Sequence, residues 1–182
     1  MSIRLAVCGA AVLATLATLA ENPASADAPL AAQPLTTLDG KSGTIALDPA
    51  RGGLLVLGFS RQSNPQAREW SRQLRARSGE TEHRGVPLYN VIGLVGAPRF
   101  VRGMVRRGIR SGVPEADRGT FFIVEEDDAF WRTLAAVEDD KPAYVLRVNP
   151  EGVVCARHVG PATEQAVARI LAARCDAAGG AP

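Results

Sequence analysis

Apolar and polar positions along the chain fall into blocks that predict its elements. Residues 35–47, LTTLDGKSGTIAL, set two short runs on either side of a Gly-containing turn, which predicts a β-hairpin. Residues 52–60, GGLLVLGFS, are continuously apolar, as expected of a central strand covered on both faces. A polar turn and then a helix follow, with Asn64 as the expected cap and Pro65 at the first helical position, where its missing N–H costs nothing. Ala67, Trp70 and Leu74 recur at spacings of three and four and mark its buried stripe, while Arg68, Glu69, Arg72 and Arg75 fall outside it. This helix is expected to end near Gly79.

LYNVIGLV, residues 88–95, predicts the next strand, and PRFVRGMVRRGI, residues 98–109, the next helix. Phe100, Val101, Met104, Val105 and Ile109 are its expected apolar side, with Arg99, Arg102, Arg106 and Arg110 as a basic stripe opposite. TFFIV, residues 120–124, is a short strand, and residues 125–140 hold a helix capped by Asp127 or Asp128 with Phe130, Trp131, Leu134 and Val137 inside. Residues 143–148 and 153–159 are antiparallel partners around an Asn-Pro-Glu-Gly turn. The last helix buries Ala166, Val167, Ile170 and Leu171. Early β–α–β units imply parallel strands, and the closing hairpin adds an antiparallel edge. The expected fold is a mixed α/β sheet with helices on both faces and an N-terminal hairpin extension.

Composition changes this picture at the N-terminus. The chain has 182 residues, 46% of them hydrophobic, which is enough for one domain with a real core. A net charge of +2 gives no case for nucleic acid. Arg4 precedes an apolar run, residues 5–20, shorter than the ~20 residues of a membrane span. Ala24, Ser25 and Ala26 then supply small residues for a signal peptidase. We therefore expect a signal peptide over 1–26 cleaved after Ala26, a Pro/Ala linker belonging to no core over 27–34, a domain over 35–176 and a disordered tail over 177–182. The mature protein is expected to be periplasmic or secreted; the alternative is a membrane anchor formed by an uncleaved N-terminus. Cleavage removes Cys8 and leaves Cys155 and Cys175.

This order of elements resembles the thioredoxin-like superfamily, closest to its TlpA-like and peroxiredoxin-like exported members. VLGFSRQSNPQAR is similar to the strand, turn and helix start that carry the family's C-x-x-C, and it places Asn64 and Ala67 where the cysteines would stand. KPAYVLRVNPEGVVCARHVG is similar to the family's Pro-led strand, turn and return strand, which makes Pro142 the candidate cis-proline facing the active site. GPATEQAVARIL resembles the closing helix. The resemblance implies a peptide-binding surface made of Ser60, Arg61, Ser63, Asn64, Pro65 and Pro142. The layout of residues 121–167 is also similar to mitochondrial ATP synthase assembly factors with a thioredoxin-like fold, which implies a chaperone-like role at a membrane complex.

Thiol–disulfide exchange needs a thiolate, and a helix N-terminus lowers the thiol pKa. Here the helix start is kept and the sulfur is absent. Ser63 is no substitute, because the helix dipole alone does not activate an alcohol, and neither His83 nor His158 is placed to act as its base. A non-catalytic binding or assembly module with a protein or peptide partner, working in the periplasm or at the membrane surface, is therefore the expected function. The alternative is a thiol-disulfide oxidoreductase or peroxiredoxin-like enzyme using Cys155 and Cys175. Those two lie at similar distances back from the turn between the last strand and helix, so they form either a structural disulfide or two separate buried thiols. The arginine stripe reads as a solvated face or as a dock for an acidic partner or anionic membrane. The acidic runs at 125–128 and 138–140 lack a ligand loop, so no metal is expected, and no motif calls for a cofactor.

Overall fold

The continuous apolar run becomes the centre of the molecule because no polar side chain in it demands water. In the computed structural model, which describes residues 30–77 and 85–175, β3 (Gly53–Gly58) is buried along its whole length. Around it the chain forms β1 (Leu35–Thr37), β2 (Ser42–Gly43), α1 (Asn64–Arg77), β4 (Leu88–Gly93), α2 (Arg99–Ser111), β5 (Phe121–Val124), α3 (Ala129–Ala135), β6 (Tyr144–Val148), β7 (Val154–Val159) and α4 (Glu164–Ala172). The strands form one sheet in the order β2-β1-β5-β4-β3-β6-β7. β3, β4 and β5 run parallel, while β6 and β7 close one side and the β1–β2 hairpin the other in antiparallel pairing. The expected signal peptide, the tail, His83 and Gly79 lie outside the described residues.

Strand alternation divides the core into layers. Leu55 and Leu57 of β3, Tyr89 and Val91 of β4 and Phe122 of β5 face α3, where Phe130 and Trp131 cover them. Leu54 and Val56 face α1 and α4, against Trp70, Leu74, Val167 and Ile170. Farther along that second face, Ile92, Phe121 and Ile123 lie under α2. Trp70 is fully buried, and its indole N–H donates to the Gly160 carbonyl at 2.8 Å, tying α1 to the start of the last crossover. The β6–β7 turn forms as its residues dictate. Gly152 takes a positive φ of 85°, and the Asn149 side chain accepts from the Val153 N–H at 2.8 Å.

Two expectations require correction. The segment before β1 was expected to belong to no core, yet Leu30 is 4% exposed and belongs to the layer beneath α3. It packs at the β6–β7 turn, where a side chain on Gly152 would meet the Leu30 Cβ at 3.1 Å. One leucine among alanines and prolines is enough to join the segment to that layer. Second, α2 buries none of its residues; Phe100 is 88% and Met104 73% exposed, although both were expected inside. At ~100° per residue they lie ~140° around the helix from Val105 and Ile109, respectively, which partly pack onto the core. The arginines described below set that rotation.

Cys155 and Cys175 form a disulfide with a Cα–Cα distance of 5.4 Å, bridging a separation of 20 residues from β7 to the end of α4. This resolves the two alternatives in favour of the staple. Closing a loop of this length removes unfolded-chain entropy. We expect the Cys155→Ser, Cys175→Ser double variant to lose ~2–4 kcal/mol in denaturant unfolding and keep its circular dichroism spectrum. Unchanged stability would show that the bridge does not constrain the chain.

Candidate functional site

The turn after β3 is built on two serines. The Ser60 hydroxyl accepts from the Gln62 and Ser63 N–H groups at 3.1 and 3.2 Å and donates to the Asp140 carbonyl at 2.7 Å. The Ser63 hydroxyl donates to the Ser60 carbonyl at 2.9 Å and accepts from the Ser60 N–H at 3.1 Å. Ser63 is fully buried, so its hydroxyl is used to close the turn and presents nothing to a ligand. Its carbonyl accepts the first helical bond, from the Ala67 N–H at 2.9 Å, which makes Ser63 the cap and Asn64 the first helical residue, one position earlier than expected. Arg61 and Pro65 are exposed and Asn64 is half-buried.

The segment carrying Pro142 lies against this turn. Besides the Ser60–Asp140 bond, the Gln66 side chain accepts from the Ala143 N–H at 3.0 Å. Pro142 itself follows a trans peptide bond, since none of the described residues has a cis bond, so the expected cis-proline is not there. The lead-in to β6 meets its partners without one: the Lys141 N–H donates to Asp139 at 3.0 Å, and Asp140 and Ala143 are held from the turn and α1.

Arg132 ties this corner to α3. Its guanidinium bonds both Asp140 oxygens at 2.7 and 3.1 Å, reaches Asp128 at 2.9 Å and lies 5.0 Å over the Phe59 ring. The Arg132 hydrogen bonds hold the Asp140 carboxyl below the usual carboxylate range against the opposing effect of burial. On the far side of α1, burial pushes the His158 imidazole below its ordinary value; a hydrogen bond to the Pro161 carbonyl opposes this and Arg169 adds to it. His158 packs on Trp70, with ring centroids 5.1 Å apart.

The basic stripe divides by role. Arg102 donates to the carbonyls of Ala97, Glu125 and Val95 at 2.9, 2.7 and 3.1 Å. Arg106 pairs with Glu125, and Arg110 with Asp39 at 3.0 Å. These three hold α2 to the body, and Arg99 is left exposed. Among the described residues no group of His, Cys, Asp or Glu side chains could hold a metal, and no helix is long and apolar enough to cross a membrane.

Between α1 and α2, over β3, β4 and β5, the structure has a cavity of about 1230 Å³. The turn at Ser60 and Arg61 closes one end and Val113 and Pro114 the other. The sequence reading missed this cavity and missed Asn90, a buried amide in its floor. The one available signal was a lone polar residue inside the apolar run LYNVIGLV. The disulfide is remote from the turn. Register aligns Leu57 with Tyr144 and Tyr144 with Val159, so Cys155 lies four residues back along β7, ~13 Å at ~3.3 Å per residue.

No protein-family model matches the chain, and no curated protein matches it in sequence. Solved structures do match. The surface-exposed lipoprotein thioredoxin Etrx1 of Streptococcus pneumoniae superposes with a TM-score of 0.50 at 13% identity, over 76% of this chain and 96% of that one. The fold is thioredoxin-like. The N-terminal domain of PilB from Neisseria gonorrhoeae gives 0.49 at 14% identity over 75% of this chain and 85% of its own. Peroxiredoxin Q of Xanthomonas campestris gives 0.48 at 17% over 79% and 90%. The turn at 60–65, between β3 and α1, contains no cysteine.

Two measurements check this geometry. Arg132→Ala leaves the buried Asp128 carboxylate unpaired, so we expect a loss of ~2–3 kcal/mol, at the low end for a broken buried pair because Arg132 is part-exposed. An unchanged melting curve would remove Arg132 from its linking role. The folded chain resists protonating His158 while the unfolded chain accepts a proton near pH 6.5. The contribution is therefore complete above that pH and lost as pH falls through it. His158→Gln should flatten the fall in melting temperature between pH 7 and 5; an unaltered slope would count against it.

Proposed function

We propose that this chain is an exported binding or assembly module that uses a thioredoxin-like fold without thiol chemistry at its usual turn. The observation that carries this reading is the turn itself. It holds no cysteine, and both of its serine hydroxyls are hydrogen-bonded within the turn or to the Asp140 carbonyl. Nucleophilic and redox chemistry both require a group that can leave its resting bonds and meet a substrate, and neither serine is so placed. The surface that remains is suited to contact. Arg61 and Pro65 project beside the Pro142 segment, and α2 presents Phe100 and Met104 next to exposed Arg99 and Arg107. A basic helix with exposed apolar residues suits a membrane-associated partner, in line with the resemblance to assembly factors of a membrane complex such as ATP synthase.

A second reading has one observation in its favour: the Cys155–Cys175 disulfide is half-buried rather than sealed in the core. On that reading the protein is a thiol-disulfide oxidoreductase or a peroxiredoxin-like enzyme. Insulin reduction and peroxide consumption separate the two. We expect no turnover above the buffer rate for the wild type and for Cys155→Ser. Turnover by the wild type that Cys155→Ser abolishes would establish the enzyme and end the binding-module proposal. N-terminal sequencing from the native host should begin near Asp27; recovery of Met1 or Ser2 would refute export by cleavage.

A further inference from the structure

We propose that the cavity between α1 and α2 binds an anionic amphiphile: a single hydrocarbon chain ending in a carboxylate. This rests on the binding-module reading and names the ligand class of the same region. Three properties of the lining point to it.

The first is the apolar body. Val56, Ile92 and Phe121 form the floor, and Val105 and Ile109 of α2 the opposing wall. Side chains added at Gly108 of α2, or at Gly96 in the loop after β4, would meet nothing within 4 Å. At about 1230 Å³ the space is large enough to hold an extended chain.

The second is charge. Arg61, Arg68, Arg72 and Arg75 all line the cavity, against Asp140 as the one acid there. Arg72 is paired with Glu69, Arg75 with Asp117, and Asp140 with Arg132. Arg61 and Arg68 have no hydrogen-bond or ion-pair partner among the described residues. Arg68 reaches across from α1 to the end of α2, where a side chain on Gly112 would collide with its guanidinium. A guanidinium matches a carboxylate in shape and charge.

The third is Asn90. It is 3% exposed and lines the cavity, yet its Nδ2 has no partner. The other end of the amide meets the Ser71 hydroxyl, whose single proton is shared between Asn90 and the Ala67 carbonyl. Asn90 therefore leaves one polar group in the cavity's floor that the fold does not satisfy, with Nδ2 itself sealed from solvent.

The same features disfavour a peptide. Each peptide residue brings an N–H and a C=O that must be satisfied. β4 and β5 are both paired on each side, so no strand edge is open there for main-chain pairing. An apolar lining with an arginine mouth instead matches a molecule that is mostly hydrocarbon with one charged end.

The test is calorimetric titration of the delipidated protein with monomeric dodecanoate, with dodecanol and dodecyltrimethylammonium as neutral and cationic controls. We expect saturable binding of about one dodecanoate per chain, weaker binding of dodecanol and none of the cation. Arg68→Glu should weaken dodecanoate at least ~10-fold while changing dodecanol less than ~3-fold, a split that a folding defect would not produce. Gly108→Phe, which fills the cavity from an open helical position, should abolish binding with the circular dichroism spectrum unchanged. Equal binding of all three probes, full binding by Gly108→Phe, or no binding by the wild type would overturn the proposal. Binding only to anionic phospholipid vesicles, and not to dodecanoate, would assign the charge to a membrane-docking surface and also overturn it. The redox assays decide a different question: turnover with intact dodecanoate binding would end the module reading and leave the cavity assignment standing.

Discussion

The guanidinium of Arg102 fixes the part of this molecule on which its candidate site depends. It gathers three carbonyls from the loop after β4 and the end of β5, and so anchors α2 by its edge instead of by a buried face. Charge-assisted bonds to carbonyls are stronger than neutral ones and are directional, so they fix the rotation of a helix as well as its presence. With Arg106 on Glu125 and Arg110 on Asp39 acting in the same sense, α2 stands as one wall of a groove. A helix held by a leucine stripe would have settled onto Ile92 and Phe121 and closed that space. The exposure of Phe100 and Met104 is the consequence of the same rotation: the arginine edge faces inward, so part of the apolar arc faces out.

The turn after β3 joins a wholly buried strand to a helix, a junction whose polar groups must be satisfied locally. Here Ser60 and Ser63 meet those needs among themselves and with Asp140. Arg132 then fastens Asp140 to Asp128 and rests on Phe59, so the turn, the lead-in to β6 and α3 form one connected corner. Its position is thereby fixed from three sides.

Much of this was legible in the sequence, and the boundary between what was and was not has a physical basis. β3, the stripe of Trp70 and Leu74, the Asn149 to Gly152 turn and the buried face of α4 are local patterns, in which spacing and residue type decide the outcome within a few residues. The mixed sheet followed from their order. The rotation of α2 was not legible, because the apolar arc and the arginine edge compete and the winner depends on carbonyls 5 to 23 residues away in sequence. Leu30 was passed over because its neighbours are alanine and proline, although one leucine suffices to join its segment to a core layer. The seating of the Pro142 segment on the turn depends on the Ser60–Asp140 and Gln66–Ala143 contacts, across about 80 residues, which no local window contains. The cavity was invisible for a related reason: a void is a property of where walls stop, and composition records only what the walls are made of.

The arrangement along the sheet also separates stability from contact. The covalent staple joins β7 to α4 level with the start of β3, whereas the turn, the Pro142 segment and one end of the cavity gather at its other end. A binding region can leave a buried group partly unsatisfied, as with the Asn90 amide, and such a group works against folding. Small domains tolerate such groups when other parts of the chain compensate. Here the wholly buried β3, the fully packed Trp70 and the disulfide at the opposite end supply that compensation. The site can therefore stay open because the opposite end of the fold is closed, and a change that filled the groove with side chains would be expected to add stability while removing the reason for the groove.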